Sequence, residues 1–159
     1  MVAMDWPKLP LTGRCPCEAV QYEVAAMPHF VYACHCTECQ RWSGSAFSLS
    51  MPVASDAFRI TRGAPKPWHR VGSSCIRSTY WFCGECGGRV YGEREGRPET
   101  VVVRAGTLDQ TWWLRPIAHV YLGSAQAWQR IPNHMECFDT TPGDFAPFAA
   151  KWRALYQPQ

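Results

Sequence analysis

The chain lacks the long features that would send it to a membrane, out of the cell or onto a nucleic acid. Residues Met1 to Pro10 have neither the cationic start nor the apolar middle of a secretory signal. No apolar stretch approaches the roughly 20 residues that a helix needs to span a bilayer. A cytoplasmic location with no membrane partner is therefore expected. Basic runs are missing too: the 16 Lys and Arg residues, set against 13 acidic groups for a net charge of +3, are scattered. No nucleic-acid partner is expected from such a distribution. Internal repeats, low-complexity tracts and long linkers are absent, so the 159 residues read as one domain able to bury a core. Disorder is excluded by 47% hydrophobic and 13% aromatic content.

Cysteine, by contrast, is plentiful and unevenly placed. Seven of the nine fall into three groups: Cys15-x-Cys17, Cys34-x-Cys36-x-x-Cys39 and Cys83-x-x-Cys86. In a reducing compartment such close pairs are more often metal ligands than disulfides, and the odd total does not suit a fully paired framework. Structural zinc takes four ligands in a tetrahedron, whereas catalytic zinc keeps three protein ligands and an open position. Seven divides as four plus three. Cys75 and Cys137 have no neighbours at ligand spacing and read as buried thiols acting as small hydrophobes.

The fold reads as mainly β: a single domain of short antiparallel strands with a C-terminal helix. Residues 1–12 form an extended arm or loosely packed lead-in, and residues 13–159 form the zinc-binding domain. Val20 to Val24 alternates apolar and polar, the period of a half-buried strand. Phe47 to Met51, Phe58 to Thr61, Thr79 to Phe82 and Val101 to Arg104 are similar, separated by breaks at Gly63 to Pro67, Gly84, Gly87-Gly88 and Gly106. Cys36 to Ser43 suits a short helical turn. Thr140 to Asp144 suits a helix start, with Phe145, Phe148, Trp152 and Leu155 following at helical spacing as a core-facing stripe.

Cys15 and Cys17 precede a strand, with Gly13 permitting a turn. Cys83 to Gly88 resembles a zinc knuckle, in which glycine tolerates the backbone angles that turn amides toward sulfur. Joined, the two pairs make a four-cysteine structural site stapling the start of the domain to its middle. Cys34, Cys36 and Cys39 then form a second, three-thiolate zinc site, for two zinc ions per chain. His35, lying between two ligands, points away from the metal. Alternatives stay open: His119 as a fourth ligand closing the second site, or a shared cluster as in metallothioneins.

Three thiolates around a divalent ion make an electron-rich centre, poorly suited to hydrolysis. Its natural task is to bind a small-molecule thiol as thiolate, the form that attacks or leaves at carbon. His119 is a candidate for proton transfer to an aldehyde oxygen or for orienting the thiol, against the plainer reading of a hydrogen-bonded core histidine. Asp109 reads as turn chemistry. Arg41, Arg62 and Arg104 are candidates for pairing with ligand carboxylates, or solvated surface charges. Trp42 walls a pocket or packs in the core. Trp112-Trp113 should leave at least one ring exposed; an exposed Trp can mark a homodimer interface, though one residue does not establish it.

Taken together, Gly13-Arg-Cys15-Pro-Cys17 with Ala19-Val20-x-Tyr22, Cys34-His-Cys36-x-x-Cys39, Phe82-Cys83-x-x-Cys86-Gly87, Gly106-Thr-Leu-Asp109, Pro116-x-x-His119 and Ser124-x-x-x-Trp128 resemble the glutathione-dependent formaldehyde-activating enzyme (GFA) family. The resemblance runs from about Gly13 to Trp128. It implies a zinc fold of the β-tent type, carbon–sulfur lyase activity, and formation of S-hydroxymethylglutathione from formaldehyde and glutathione. It also implies Cys15, Cys17, Cys83 and Cys86 as structural ligands and Cys34, Cys36 and Cys39 at the active zinc. One departure is Glu18, where the family commonly carries Gly; since Glu adopts positive φ reluctantly, a different local turn is expected. Fold does not fix function, so a non-catalytic, zinc-stapled binding module of the same fold stands as the alternative. A third possibility is a redox-regulated zinc protein that releases metal on thiolate oxidation.

Overall fold

Alternation of inward and outward side chains builds most of the strands. In β1 (Leu11–Arg14), Leu11 and Gly13 face inward while Thr12 and Arg14 face solvent. The chain continues through β2 (Gln21–Val24), β3 (Tyr32–Cys34), α1 (Thr37–Ser43), β4 (Ser48–Ala54), β5 (Phe58–Arg62), β6 (Lys66–Val71) and β7 (Arg77–Phe82). It ends with β8 (Arg89–Arg94), β9 (Thr100–Arg104), β10 (Ala118–Val120), β11 (Glu136–Cys137) and α2 (Ala146–Ala154). This computed structural model describes residues 6–71, 75–133 and 135–155.

The strands form two sheets, one in the order β1-β2-β5 and one in the order β11-β10-β3-β4-β9-β8-β7-β6. Pairing is antiparallel except at β10, which runs parallel to both β3 and β11. The mainly β reading therefore holds, with a mixed larger sheet. In the centre of that sheet, β4 buries Ser50 through Val53 and so has no alternating pattern. Its Pro52 is tolerated because the Pro52 carbonyl accepts from His29 N, on the side away from β9. The missing amide points the same way and costs no bond to β9.

The sequence places an arm at residues 1–12, of which residues 1–5 lie outside the described residues. Of the remainder, Lys8, Leu9, Pro10 and Thr12 are exposed, whereas Pro7 and Leu11 are buried and Trp6 meets the ring of Trp152 edge-on at 5.4 Å and that of Trp113 at 6.4 Å. β1 begins two residues before the expected domain boundary. Gly13 has a role other than a turn. It lies within β1, where a Cβ would come 2.3 Å from the Tyr22 ring and 2.7 Å from the Thr107 carbonyl oxygen.

α2 begins at Ala146, whose backbone N–H donates to Asp144 Oδ1 at 2.8 Å; the N-cap is Phe145, without a side-chain cap of its own, and the acidic residue sits one position before it. Phe148 and Trp152 are buried and Phe145 and Leu155 are half-buried, as the stripe predicts. Trp152 has no exposed surface, and its indole N–H donates to the Arg115 carbonyl. Trp152→Ala is expected to destabilise the fold by about 3–5 kcal/mol, the usual cost of emptying a large aromatic site. Denaturant melts check this; a change under about 1 kcal/mol would mean that the helix does not contribute to the core.

Candidate active site and metal centre

Two hairpins bring the first cysteine group together. Between β1 and β2, Cys15 N–H donates to the Val20 carbonyl at 3.0 Å and Val20 N–H points back at Cys15 Sγ at 3.3 Å. Glu18 completes this loop with φ of 62°. The residue thus adopts the glycine-like conformation that was not expected of it, held by Arg14 Nη1 on its carboxylate at 3.1 Å and by Gln21 Nε2 on its carbonyl at 3.2 Å. Between β7 and β8, Gly87 at φ of 70° lets its N–H reach the Cys83 carbonyl, while Glu85 N–H points at Cys83 Sγ at 3.4 Å. This is the knuckle the spacing predicts.

The four sulfurs of Cys15, Cys17, Cys83 and Cys86 lie within 4.8 Å of one another. Cys15 to Cys17 and Cys17 to Cys83 are both 3.6 Å. A tetrahedron with metal–sulfur distances of about 2.3 Å has edges of about 3.8 Å, so these sulfurs fit a zinc ion. Backbone amides of Gly88 and Cys17 hold the Cys86 thiol down at about 6, toward the thiolate a metal needs.

The second group is assembled by register across the large sheet. Cys34 ends β3, opposite Ser48 on β4 and beside Val120 on β10. Ser50 on β4 pairs with Arg104 on β9. Cys36 caps α1, its sulfur accepting from Cys39 N at 3.4 Å, which turns Cys39 back toward the strand. The sulfurs of Cys34, Cys36 and Cys39 lie within 4.8 Å of one another, and no other Cys, His, Asp or Glu joins them among the described residues. Cys34 and Cys39 are buried and Cys36 is half-buried, so Cys36 is the member of the group that reaches solvent.

Electrostatics single out Cys39. The thiols of Cys34 and Cys36 hydrogen-bond toward it and pull it well below the ordinary thiol range. Burial opposes that shift; the Arg104 charge and the Ser48 hydroxyl reinforce it. Cys34 moves the other way, raised by its contacts with Cys36 and Cys39 and then by burial. A set of three sulfurs, two of them buried, with one already favouring thiolate has the donor chemistry of a soft divalent metal site.

His35 and His119 take no place among these ligands. Instead His35 Nε2 and His119 Nδ1 share a hydrogen bond of 2.9 Å, with the His35 ring 5.2 Å from that of Phe47. Burial lowers both, His119 further through its neighbour, so both rings stay neutral near pH 7. His35 Nδ1 is buried without a partner among the described residues. The His35 carbonyl accepts from Gln40 Nε2 at 2.7 Å and from Ser124 Oγ at 3.1 Å, tying α1 to the loop after β10. On that side lies a groove of about 650 Å³ lined by Thr37, Gln40, Arg41, Ser45, Gln126 and Trp128 among others.

Of the three arginine candidates, Arg41 lines this groove and Arg62 lies exposed at the end of β5 in the small sheet. Arg104 is neither a surface charge nor a groove residue: it is buried, with Nη1 and Nη2 both 3.7 Å from Cys39 Sγ. Asp109 is structural as read, accepting from Thr12 Oγ1 and Arg14 Nε, both at 2.6 Å. The Arg14 hydrogen bond, helped by Thr12, holds its carboxyl below the ordinary range. Trp42 is exposed and packs on Phe82 and Trp68; Trp112 is exposed and Trp113 fully buried.

Cys75 and Cys137 correct the expectation of buried thiols. Both are exposed, Cys75 at φ of 58° and Cys137 with its thiol toward the Met135 carbonyl. Apolar character alone did not place them inside, because each lies in or beside a loop. Ser48 and Ser50, which hold Arg104, and His35, the partner of His119, are neighbours of the cluster that sequence reasoning passed over. Ser48 and Ser50 share one strand face, a signal of period two, but nothing local says what that face meets.

No helix among the described residues is long and apolar enough to cross a membrane. No curated protein matches the chain. A crystal structure of a Rhodobacter sphaeroides protein is similar to it at 26% identity and a TM-score of 0.50, over 62% of this chain and 87% of that one. The family model for glutathione-dependent formaldehyde-activating enzymes matches residues 10–124, which hold all seven clustered cysteines and His119. The chain belongs to the glutathione-dependent formaldehyde-activating enzyme family.

Proposed function

We propose that this protein is a zinc-dependent carbon–sulfur lyase acting on the adduct of formaldehyde and a small-molecule thiol, with glutathione as the thiol. Cys15, Cys17, Cys83 and Cys86 hold a structural ion; Cys34, Cys36 and Cys39 hold the active one. The observation that carries the reading is the set of three sulfurs, two buried and one half-buried, without a fourth protein ligand among the described residues. Zinc there, when bound, stabilises the sulfur of an incoming thiol as thiolate, able to add to an aldehyde carbon or leave from it.

The chain's own groups supply the rest. Burial of Cys34 and Cys39 keeps water from the sulfurs and strengthens local electrostatics. His119, neutral and oriented by His35, can hold or pass a proton at the aldehyde oxygen. Arg41, in the groove along α1, offers a planar donor pair to a carboxylate of the thiol.

Metal content with zinc X-ray absorption, with and without glutathione, tests this. Two zinc ions per chain are expected, one changing from three sulfurs and a light atom to four sulfurs when glutathione is added. Two zinc ions indifferent to glutathione would sink the reading and favour a binding module.

A further inference from the structure

The Arg104 guanidinium lies against the three-cysteine site, and Arg89 sits at the neighbouring strand end, where the charges of Arg104 and Cys39 both act on it; among the described residues neither pairs with a carboxylate. Arg104, on β9, spends its donors on Ser48 Oγ at 2.6 Å, Ser50 Oγ at 3.1 Å and the Cys39 sulfur. Arg89, at the neighbouring end of β8, lies with its guanidinium carbon 3.8 Å over the Tyr80 ring, and its buried Nε has no partner. Burial and the nearby Arg104 push Arg89 down to about 10, which still leaves it charged at neutral pH, while the Cys39 sulfur acts in the opposite sense.

Cations drawn out of water without counter-charge are costly, so a fold that keeps Arg104 buried and Arg89 half-buried on adjacent strand ends has an anion to set against them. Here that anion is the sulfur cluster. Three thiolates with a divalent ion carry one negative charge, and the two guanidiniums turn this into one positive charge. A single incoming thiolate brings the whole site to neutrality; a neutral ligand leaves the excess in place.

We propose that Arg104 and Arg89 are the counter-charge of the three-cysteine site: Arg104 is a positioning residue that anchors the Cys39 sulfur, and the two together make the site select one anionic ligand, a thiolate, over a neutral one. The proposal rests on the reading of Cys34, Cys36 and Cys39 as metal ligands. It adds that the arginines facing the metal side decide the charge of what binds. Because Arg104 also holds two serines on β4, its hydrogen bonds fix where the sulfur sits as well as the field around it.

The full chain loaded with Co2+ makes the test, since the visible bands of cobalt report its ligands without any need for turnover. In the unmodified protein at about pH 8, 2-mercaptoethanol is expected to change the spectrum with release of about one proton per thiol, and imidazole to bind at least about tenfold more weakly. Arg104→Met should weaken thiol binding by about ten- to a hundredfold, the worth of a charge-assisted hydrogen bond, with cobalt uptake at the four-cysteine site unchanged. Arg104→Lys should recover part of that affinity through its charge, yet shift the sulfur-to-cobalt band, because an ammonium cannot reproduce the planar fork at Cys39.

Two cobalt ions with equal thiol affinity in Arg104→Met overturn the proposal while leaving the metal reading intact. So does imidazole binding as tightly as the thiol in the unmodified chain, a comparison that decides the matter even where Arg104→Met does not fold. Uptake of only one cobalt per chain removes the three-thiolate site and overturns both.

Discussion

Cys83→Ser is expected to leave the chain unfolded, or melting far below the unmodified protein. Cys83 is buried, and its group closes on Cys17, 66 residues earlier. Those hairpins belong to different sheets: β1 and β2 to the small one, β7 and β8 to the large one. A metal ion held by these four sulfurs would tie the two sheets together. Structural zinc supplies about 10–16 kcal/mol in small zinc-dependent domains, comparable with or larger than the roughly 5–15 kcal/mol of net stability a whole domain has. A serine hydroxyl is a poor replacement for thiolate, and loss of even part of the metal's contribution exceeds what the core can absorb. A strong chelator should reproduce the effect on the unmodified chain. Thermal melts followed by circular dichroism check both; a variant melting within a few degrees of the unmodified protein would show that the sheets hold together without the staple.

Cys36→Ser should do the reverse: a near-normal melt with one metal ion lost and formation of S-hydroxymethylglutathione reduced by about 10³-fold or more, corresponding to several kcal/mol of lost metal-based stabilisation. The fold tolerates this change for a local reason. Cys36 is the N-cap of α1, its side chain accepting from Cys39 N, and serine is among the best residues for that position. The helix survives while the sulfur does not. The strands around it, β10, β3, β4 and β9, pair through backbone bonds that the substitution leaves alone. Metal stoichiometry, melting temperature and adduct formation measured on the same preparations separate the two roles. Equal loss of folding in Cys83→Ser and Cys36→Ser would contradict the division.

Much of the strand pattern was legible locally. Val20 to Val24 reads as a strand from its alternation and becomes Gln21–Val24; Phe58 to Thr61 becomes Phe58–Arg62, and Val101 to Arg104 becomes Thr100–Arg104. β6 was hidden by Pro65 and Pro67, which read as a break. It is an edge strand pairing with β7 alone, where a missing N–H is tolerated. β3, β10 and β11 have two or three residues each, too few to express a period. Glu18 escaped because neighbours in space, Arg14 and Gln21, secure a backbone conformation that its side chain alone disfavours.

The grouping of the cysteines was determined by the sequence itself, because a spacing of one or two residues between thiols leaves the backbone few ways to turn and places both sulfurs on one centre. The number of groups then limits how they combine. What surrounds them was decided by tertiary structure. Cys34, Ser48, Ser50 and Arg104 lie on three strands, and strand register sets Cys34 opposite Ser48 and Ser50 opposite Arg104, while His119 pairs opposite Ala33 and meets His35. The exposure of Cys75 and Cys137 was decided the same way. A short motif constrains its own atoms, whereas the charge beside it depends on which distant strands pair, and that depends on the packing of the whole core.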